Sequence, residues 1–140
     1  RVIAVIRTPC FEWGLPMARA VVAGGIQHVE ITWNSDRPAE LIQQLRQELP
    51  QSLIGAGTLL TIDQVQTAIA AGAQYLFTPH VHPKLIHTAV AQDVPLVAGA
   101  LTPTEIVTAW QAGATGVKIF PVQAVGGADY VRSLQGPLGH

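Results

Sequence analysis

The chain has 140 residues, of which 49% are hydrophobic and 12% are charged, and its formal net charge is −1. An average soluble domain is roughly 25% charged, so this composition indicates much buried surface, and the length fits one domain with a sizeable core. With this charge balance the chain has no overall positive field that would attract nucleic acid or an anionic membrane. No apolar run reaches the roughly 18 residues of a membrane span. A single cysteine excludes an internal disulfide and fits a reducing compartment such as the cytoplasm.

Short β-branched runs recur along the chain and predict six strands. In order they are VIAVIR (2–7), HVEIT (28–32), LIGAGT (53–58), YLFTP (75–79), PLVAGA (95–100) and VKIFP (117–121). Stretches with helical periodicity lie between them, including PAELIQQLRQEL (38–49) and IDQVQTAIAAG (62–72). Regular alternation of strand, short loop and helix predicts right-handed βαβ units and a parallel sheet.

Start and stop signals support the helices. The stretch TPTE (102–105) offers Thr102 as N-cap and Glu105 as the partner that closes a capping box, and Thr61 with Gln64 repeats the pattern. Helices are predicted to end at AGG (23–25), AAGA (70–73) and QAGA (111–114), because glycine adopts the left-handed conformation that terminates a helix.

Two architectures fit the alternation, a doubly wound sheet and a closed (β/α)8 barrel. The stretch IRTPCFEWG after the first strand lacks the G-x-G-x-x-G pattern of a dinucleotide-binding sheet. Barrel enzymes collect their chemistry at the carboxyl ends of the strands. Polar residues stand at these ends: Arg7, Glu30, Thr32, Thr58, Thr78, Thr102 and Lys118.

We therefore predict a (β/α)8 TIM barrel. Residues 1–140 are expected to form a single barrel domain that contains about six of the eight βα units and is incomplete at both ends. The absence of an initiating methionine adds the expectation that the chain begins within a larger one.

One of only two lysines, Lys118, lies within the apolar run VKIFP. Side chains alternate along a strand, so Lys118 faces away from Val117 and Ile119, and Glu30 faces away from its aliphatic neighbours in the same way. We expect Lys118 and Glu30 to point into the barrel and approach each other near its mouth. A buried ion pair that only fixes packing is the alternative, but such pairs stabilise a fold weakly.

The chemistry that needs such a lysine is imine formation with a carbonyl. A lysine must lose its proton to attack, and at the usual pKa near 10.4 only about one in two thousand is neutral at pH 7. Apolar surroundings favour the neutral amine. Glu30 is then expected to act as a proton shuttle.

The motifs VEIT (29–32), GAGT (55–58), TPH (78–80) and VKIFP (117–121), in this order and spacing, resemble the 2-keto-3-deoxy-6-phosphogluconate (KDPG) and 2-keto-4-hydroxyglutarate (KHG) aldolase family. The resemblance implies a class I aldolase on a (β/α)8 barrel that uses neither metal nor cofactor and forms a homotrimer. It also implies small-molecule substrates, with cleavage to pyruvate and an aldehyde.

The resemblance assigns roles to individual residues. Lys118 matches the lysine that forms the Schiff base, and Glu30 matches the general acid/base. Thr58 matches the residue that contacts the pyruvate carboxylate, while Pro79 and Phe120 match residues that line the pocket.

This sequence departs from the family at one position. Some members carry an arginine four residues after the glutamate, where this chain has Asn34. Carboxylate binding is therefore expected to depend more on Thr58, on backbone amides and on Arg7.

Two alternative functions stay open from the sequence, and a metal site is set aside. A sugar-phosphate isomerase or epimerase on a small barrel would use Lys118 as a base without an imine. A non-catalytic barrel would only bind a ligand or assemble. A metal site would draw on His80, His82 and His87, although no third ligand has motif spacing.

Overall fold

The computed structural model describes residues 2–139, in which strands and helices alternate as predicted. The elements are β1 (Ala4–Ile6), α1 (Phe11–Ala23), β2 (His28–Thr32), α2 (Pro38–Glu48), β3 (Leu53–Gly57), α3 (Ile62–Ala70), β4 (Leu76–Thr78), α4 (Pro83–Val90), β5 (Leu96–Ala100), α5 (Pro103–Gln111), β6 (Gly116–Ile119), a 3₁₀ helix (Val122–Val125) and α6 (Ala128–Leu138). Over this range no helix has the length and hydropathy needed to cross a bilayer.

The strands form one parallel sheet in which β1 to β6 lie side by side in chain order. A doubly wound sheet reverses its strand order at a switch point, whereas consecutive parallel strands with outer helices are typical of a barrel. The structure therefore confirms the predicted barrel architecture, with six βα units in residues 2–139. Strand β2 coincides with the predicted 28–32, and the ends of the other strands differ from the predicted ends by at most two residues.

The two faces of the sheet carry different residues. The outer face packs against the helices and forms the core with Ile6, Val29, Ile31, Ile54, Ala56, Leu76, Leu96 and Ala98, each at most 2% exposed. Burial of each larger aliphatic side chain contributes about 1.5–3 kcal/mol. The inner face carries Val5, Glu30, Phe77 and Lys118. The predicted alternation in β2 and β6 is thus confirmed.

Capping explains where the helices begin and end. Thr102 and Glu105 form the predicted reciprocal capping box at α5. At α3 the Thr61 side chain accepts from the backbone N–H of Gln64, but the Gln64 side chain accepts from Leu60 at 2.7 Å rather than from Thr61, so this box closes one residue earlier than predicted. Left-handed glycines follow three helices: Gly25 (φ 92°), Gly72 (φ 93°) and Gly113 (φ 90°).

Candidate active site

A cavity of about 340 Å³ opens on the inner face of the sheet, towards the carboxyl ends of the strands. Its walls come from β1, β2, β4 and β6 and from the segments that follow β1, β3, β4 and β6. All six residues proposed from the sequence line it, together with Ile3, Val5 and Phe77: Arg7, Glu30, Thr58, Pro79, Lys118 and Phe120. The fold therefore brings together residues that are dispersed over most of the chain.

Lys118 extends from β6 into this cavity and is half-buried. Its Nζ lies 4.8 Å from the centroid of the Phe120 ring and 5.6 Å from that of the Phe77 ring. Within residues 2–139, no carboxylate oxygen lies within 4.0 Å of this nitrogen. The amine thus lies against two aromatic rings that stabilise a positive charge, and it forms no salt bridge with an acidic group of the described residues.

Glu30 extends into the same cavity from β2 and is only 6% exposed. Gly57 on the neighbouring strand makes room for it, because a Cβ at position 57 would overlap with Glu30 Oε1. Burial raises the pKa of Glu30 above its ordinary value, and the positive charges of Lys118 and Arg7 oppose this effect. A carboxyl group with a raised pKa exchanges protons closer to neutral pH, as general acid/base chemistry requires.

Thr58 follows β3 and has a left-handed backbone with φ 61°. This conformation is uncommon for a β-branched residue and costs about 1–2 kcal/mol. The chain is held on both sides of it, because the Gly57 carbonyl accepts from Trp33 N–H at 2.7 Å and the buried Leu59 donates to the Phe77 carbonyl at 3.3 Å. Strain maintained in this way is a common feature of functional sites.

Pro79 reaches the cavity because the strand beside it carries glycine. A Cβ on Gly99 would lie 2.5 Å from the carbonyl carbon and oxygen of Pro79. Gly99 is also the register partner of Lys118. The glycine therefore permits the end of β4 to approach β5 beside the lysine.

Arg7 lies at the rim of the cavity, where its Nε donates a hydrogen bond to Asn34 Oδ1 at 3.2 Å. A buried polar network fixes the two loops that carry these residues. Thr8 N–H donates to Ser35 Oγ at 3.2 Å, and the hydroxyl groups of Ser35 and Thr32 are 3.2 Å apart. Thr32, which the sequence placed among the barrel-mouth residues, thus belongs to the support of the site rather than to the cavity wall.

The histidines considered for a metal site, His80, His82 and His87, are not part of a cluster of possible metal ligands within residues 2–139. His80 and His82 pack edge to face with ring centroids 6.1 Å apart. Across residues 2–139, no three His, Cys, Asp or Glu side chains are grouped to hold a metal ion.

Sequence reasoning missed Phe77 and Tyr75. Both belong to YLFTP, and both lie on the strand face that leads to Pro79, because residues two apart share a face. The alternation that located Lys118 would have identified them.

The fold and the cavity define a class of protein, a (β/α) barrel with a lysine and a buried carboxyl group facing one cavity near the mouth. The family model for KDPG and KHG aldolase matches residues 1–140. The chain belongs to the KDPG and KHG aldolase family.

Individual relatives agree with this assignment. A 2-dehydro-3-deoxy-phosphogluconate aldolase of Treponema pallidum is 39% identical over 137 residues, which are 98% of this chain and 65% of that protein. A structure of native KDPGal is similar with a TM-score of 0.91 and 35% identity, covering 97% of this chain and 66% of that one. A KDPG aldolase from Legionella pneumophila, with pyruvate captured at low pH as a covalent carbinolamine intermediate, has a TM-score of 0.88 and 30% identity over 98% of this chain and 66% of that one. This chain spans about 65% of the length of the curated relatives it matches.

Proposed function

We propose that this protein is a class I aldolase that reversibly cleaves KDPG, 4-hydroxy-2-oxoglutarate or both to pyruvate and an aldehyde. The observation that supports this most directly is the shared cavity of Lys118 and Glu30. The lysine there has aromatic rings within 6 Å, and no carboxylate oxygen of residues 2–139 lies within 4.0 Å of its Nζ. A lysine placed to accept and release positive charge beside a buried acid/base suits imine chemistry.

In the proposed reaction, the neutral amine of Lys118 attacks the C2 carbonyl of the keto acid to give a carbinolamine, which loses water to form a protonated imine. The positive imine withdraws the electron pair of the C3–C4 bond. A base removes the proton of the C4 hydroxyl as that bond breaks, so an aldehyde leaves and an enamine remains. Protonation at C3 and addition of water then release pyruvate and regenerate the lysine. Phe120 and Phe77 stabilise the charged imine as they stabilise the ammonium group.

Glu30 is the proposed acid/base for these proton transfers. Its raised pKa follows from burial, while Lys118 and Arg7 keep the ionised form accessible. When Lys118 becomes a neutral amine, one of the opposing positive charges is lost. Protonation of Glu30 then becomes easier, which suits transfer of the departing proton to this carboxyl group.

The proposed carboxylate site of the keto acid consists of Arg7 and Thr58, with Pro79 and Phe120 as apolar walls. Arg7 has no carboxylate within 4.0 Å in the described range, so its charge is available for an anion. The left-handed backbone of Thr58 turns the chain at the cavity wall.

The proposal also includes the domain organisation, the oligomeric state and the localisation. We infer one barrel domain over residues 1–140, which the continuous core from Ile6 to Ala114 supports. We also infer a cytoplasmic homotrimer, extending the resemblance noted in the sequence. Light scattering on the full chain tests the trimer, and a mass of one chain would contradict it.

Borohydride trapping with pyruvate tests the function. The full chain should gain the mass of one reduced pyruvate adduct, and Lys118→Ala should gain none. The second of the two lysines provides a matched control, because Lys84 is exposed and Lys84→Ala should keep the adduct. Loss of the adduct in Lys84→Ala, or its absence from the wild type, would contradict the proposal.

The same experiment separates the alternatives. An isomerase or epimerase that uses Lys118 only as a base would form no adduct, and neither would a barrel that only binds a ligand. Turnover with KDPG and with 4-hydroxy-2-oxoglutarate then identifies which keto acid is cleaved.

A further inference from the structure

Three buried residues with hydroxyl groups lie next to Arg7, at the carboxyl ends of β1 and β2, and the proposed reaction does not use them. They are Thr8, Thr32 and Ser35, each at most 8% exposed. Thr8 follows β1, Thr32 is the last residue of β2, and Ser35 lies in the loop after it. Buried polar groups are nearly always hydrogen-bonded, so the partners of these residues show what the cluster holds in place.

The hydrogen bonds of this cluster form a chain with one direction. Thr8 N–H donates to Ser35 Oγ at 3.2 Å. At the other end, Thr32 Oγ1 donates to the Ile6 carbonyl at 3.3 Å, because a carbonyl oxygen can only accept. The single proton of the Thr32 hydroxyl is thus used at Ile6. In the 3.2 Å contact between Ser35 Oγ and Thr32 Oγ1, the donor is therefore Ser35.

The two ends of the chain of hydrogen bonds lie on either side of Arg7. The chain begins at Thr8 N–H and ends at the Ile6 carbonyl, which belong to the residues after and before the arginine. The side chain of Arg7 donates from Nε to Asn34 Oδ1 at 3.2 Å. Asn34 and Ser35 are adjacent, so the loop after β2 contacts both the backbone beside Arg7 and its side chain.

The loop after β2 is itself fixed, so it can support its neighbour. Ser35 N–H donates to the Thr32 carbonyl at 2.9 Å, and Asp36 N–H donates to the Thr8 carbonyl at 2.9 Å. Thr32 also follows Glu30 by two residues on the same strand. The backbone around Arg7 is therefore held relative to the strand that carries the proposed acid/base.

We propose that Ser35 and Thr32 are positioning residues that hold Arg7 where its guanidinium group binds the carboxylate of the keto acid. Without the Ser35 hydroxyl, the buried Thr8 N–H loses its acceptor and Thr32 Oγ1 loses its donor. Unmade hydrogen bonds of this kind are unfavourable, so the backbone beside Arg7 moves towards other partners and the guanidinium group moves with it. This inference rests on the proposed function, in which Arg7 binds the keto acid.

The test is Ser35→Ala in the full chain, assayed by borohydride trapping over a range of pyruvate concentrations. The concentration that gives half-maximal adduct should rise by about 3–10-fold, the scale of one neutral hydrogen bond, while the adduct at saturating pyruvate stays near that of the wild type. Steady-state kinetics should show the same division, with the KM raised and kcat changed by less than about threefold. An unchanged half-maximal concentration would overturn the inference.

The effect of Ser35 is expected to pass through Arg7, which a double-mutant cycle measures. In an Arg7→Ala background the guanidinium group is gone, so Ser35→Ala should raise the half-maximal pyruvate concentration by less than about twofold. A general loosening of the fold would raise it equally in both backgrounds. An equal rise would therefore overturn the inference.

Ser52 provides a matched control at the opposite end of the sheet. It is 1% exposed, and its Oγ donates to Gln27 Oε1 at 3.2 Å, where the two residues directly precede β3 and β2. Ser52→Ala thus removes the same buried group and a hydrogen bond of the same length. The half-maximal pyruvate concentration should stay at the wild-type value. A rise equal to that of Ser35→Ala would show that the effect is not specific to the chain beside Arg7, and would overturn the inference.

Thr32 keeps the test independent of how Ser35→Ala folds. Thr32→Val preserves the shape of the side chain but removes the hydroxyl, so the bond to the Ile6 carbonyl is lost and the half-maximal concentration should rise as in Ser35→Ala. Thr32→Ser keeps the hydroxyl and should stay within about twofold of the wild type. Equal values for these two variants of Thr32, or a larger rise in Thr32→Ser, would overturn the inference.

Trapping also separates this inference from the proposed function. A wild type that forms no adduct with pyruvate would reject the proposed function and this inference with it. A wild type that forms the adduct, with a half-maximal concentration that neither Ser35→Ala nor Thr32→Val changes, would reject only the role of Ser35 and Thr32.

Discussion

Arg7 and Asn34 meet at the rim of the cavity, where the guanidinium Nε donates to the amide oxygen at 3.2 Å. A neutral amide can orient a guanidinium group without cancelling its charge. A carboxylate in the same place would form an ion pair and consume that charge. Asn34 therefore leaves Arg7 oriented and available for the substrate carboxylate in the proposed aldolase.

The first prediction concerns Asn34→Asp. The new carboxylate should pair with Arg7 and repel the keto acid, so the KM should rise by about 10-fold or more, the scale of one lost charge-assisted hydrogen bond, while kcat changes little. Asn34→Ala, which only releases Arg7, should raise the KM by less. Steady-state kinetics measures both, and a KM for Asn34→Asp equal to that of the wild type would show that Arg7 does not bind the substrate.

The second prediction concerns Glu30→Gln. Turnover should fall by about 10²–10⁴, the usual range for a general acid/base. The stability of the fold, in contrast, should rise at neutral pH. Because burial raises the pKa of Glu30 in the folded state, its contribution to stability is fully present below the unfolded-state value near 4.5 and is lost as the pH rises through the folded-state value.

Thermal unfolding at several pH values checks this expectation. Glu30→Gln should melt at a higher temperature than the wild type at pH 8, and the difference should shrink towards pH 4. A difference that grows towards acidic pH would mean that ionised Glu30 stabilises the fold.

The third prediction concerns Gly57→Ala. The added methyl group overlaps with the Glu30 carboxylate, so this carboxyl group must move. We expect turnover to fall by about 10²-fold, similar to a displaced acid/base, and stability to fall by about 1–3 kcal/mol from overpacking.

A double-mutant cycle tests whether overlap with Glu30 causes the loss of stability in Gly57→Ala. In a Glu30→Ala background the overlap is gone, so Gly57→Ala should cost less stability than in the wild type. Gly136→Ala is the control, because a Cβ there meets no atom within 4 Å, and it should be neutral or stabilising. Equal costs in the two backgrounds would show that the methyl group conflicts with something other than Glu30.

The fourth prediction concerns the strained backbone at Thr58. Thr58→Gly relieves the left-handed strain of about 1–2 kcal/mol and adds unfolded-state entropy worth about 0.5–1 kcal/mol, so stability should be unchanged or higher. The KM for the keto acid should rise because the hydroxyl is gone, whereas Thr58→Ser should keep the KM near that of the wild type. Denaturant unfolding with kinetics measures both, and a clear loss of stability in Thr58→Gly would contradict the account.

Much of the fold could be predicted from local sequence patterns. Period-two alternation assigned Lys118 and Glu30 to the inner face, since successive side chains on a strand point to opposite sides whatever lies around them. The capping residues Thr102 and Glu105 and the glycine stops are equally local, because their hydrogen bonds join residues within one or two turns. These features could be predicted from the sequence for that reason.

The sequence by itself determined the βα order, the faces of the strands and the resemblance that identified the family. Only the tertiary structure decided that Asn34 accepts from Arg7, 27 residues away, and that Gly57 makes room for Glu30. It also decided that the Tyr75 hydroxyl is buried without a hydrogen-bond partner among residues 2–139. These contacts depend on how far each loop or side chain extends from its own strand. They form between strands whose spacing is set by the whole sheet, and no local pattern encodes that distance.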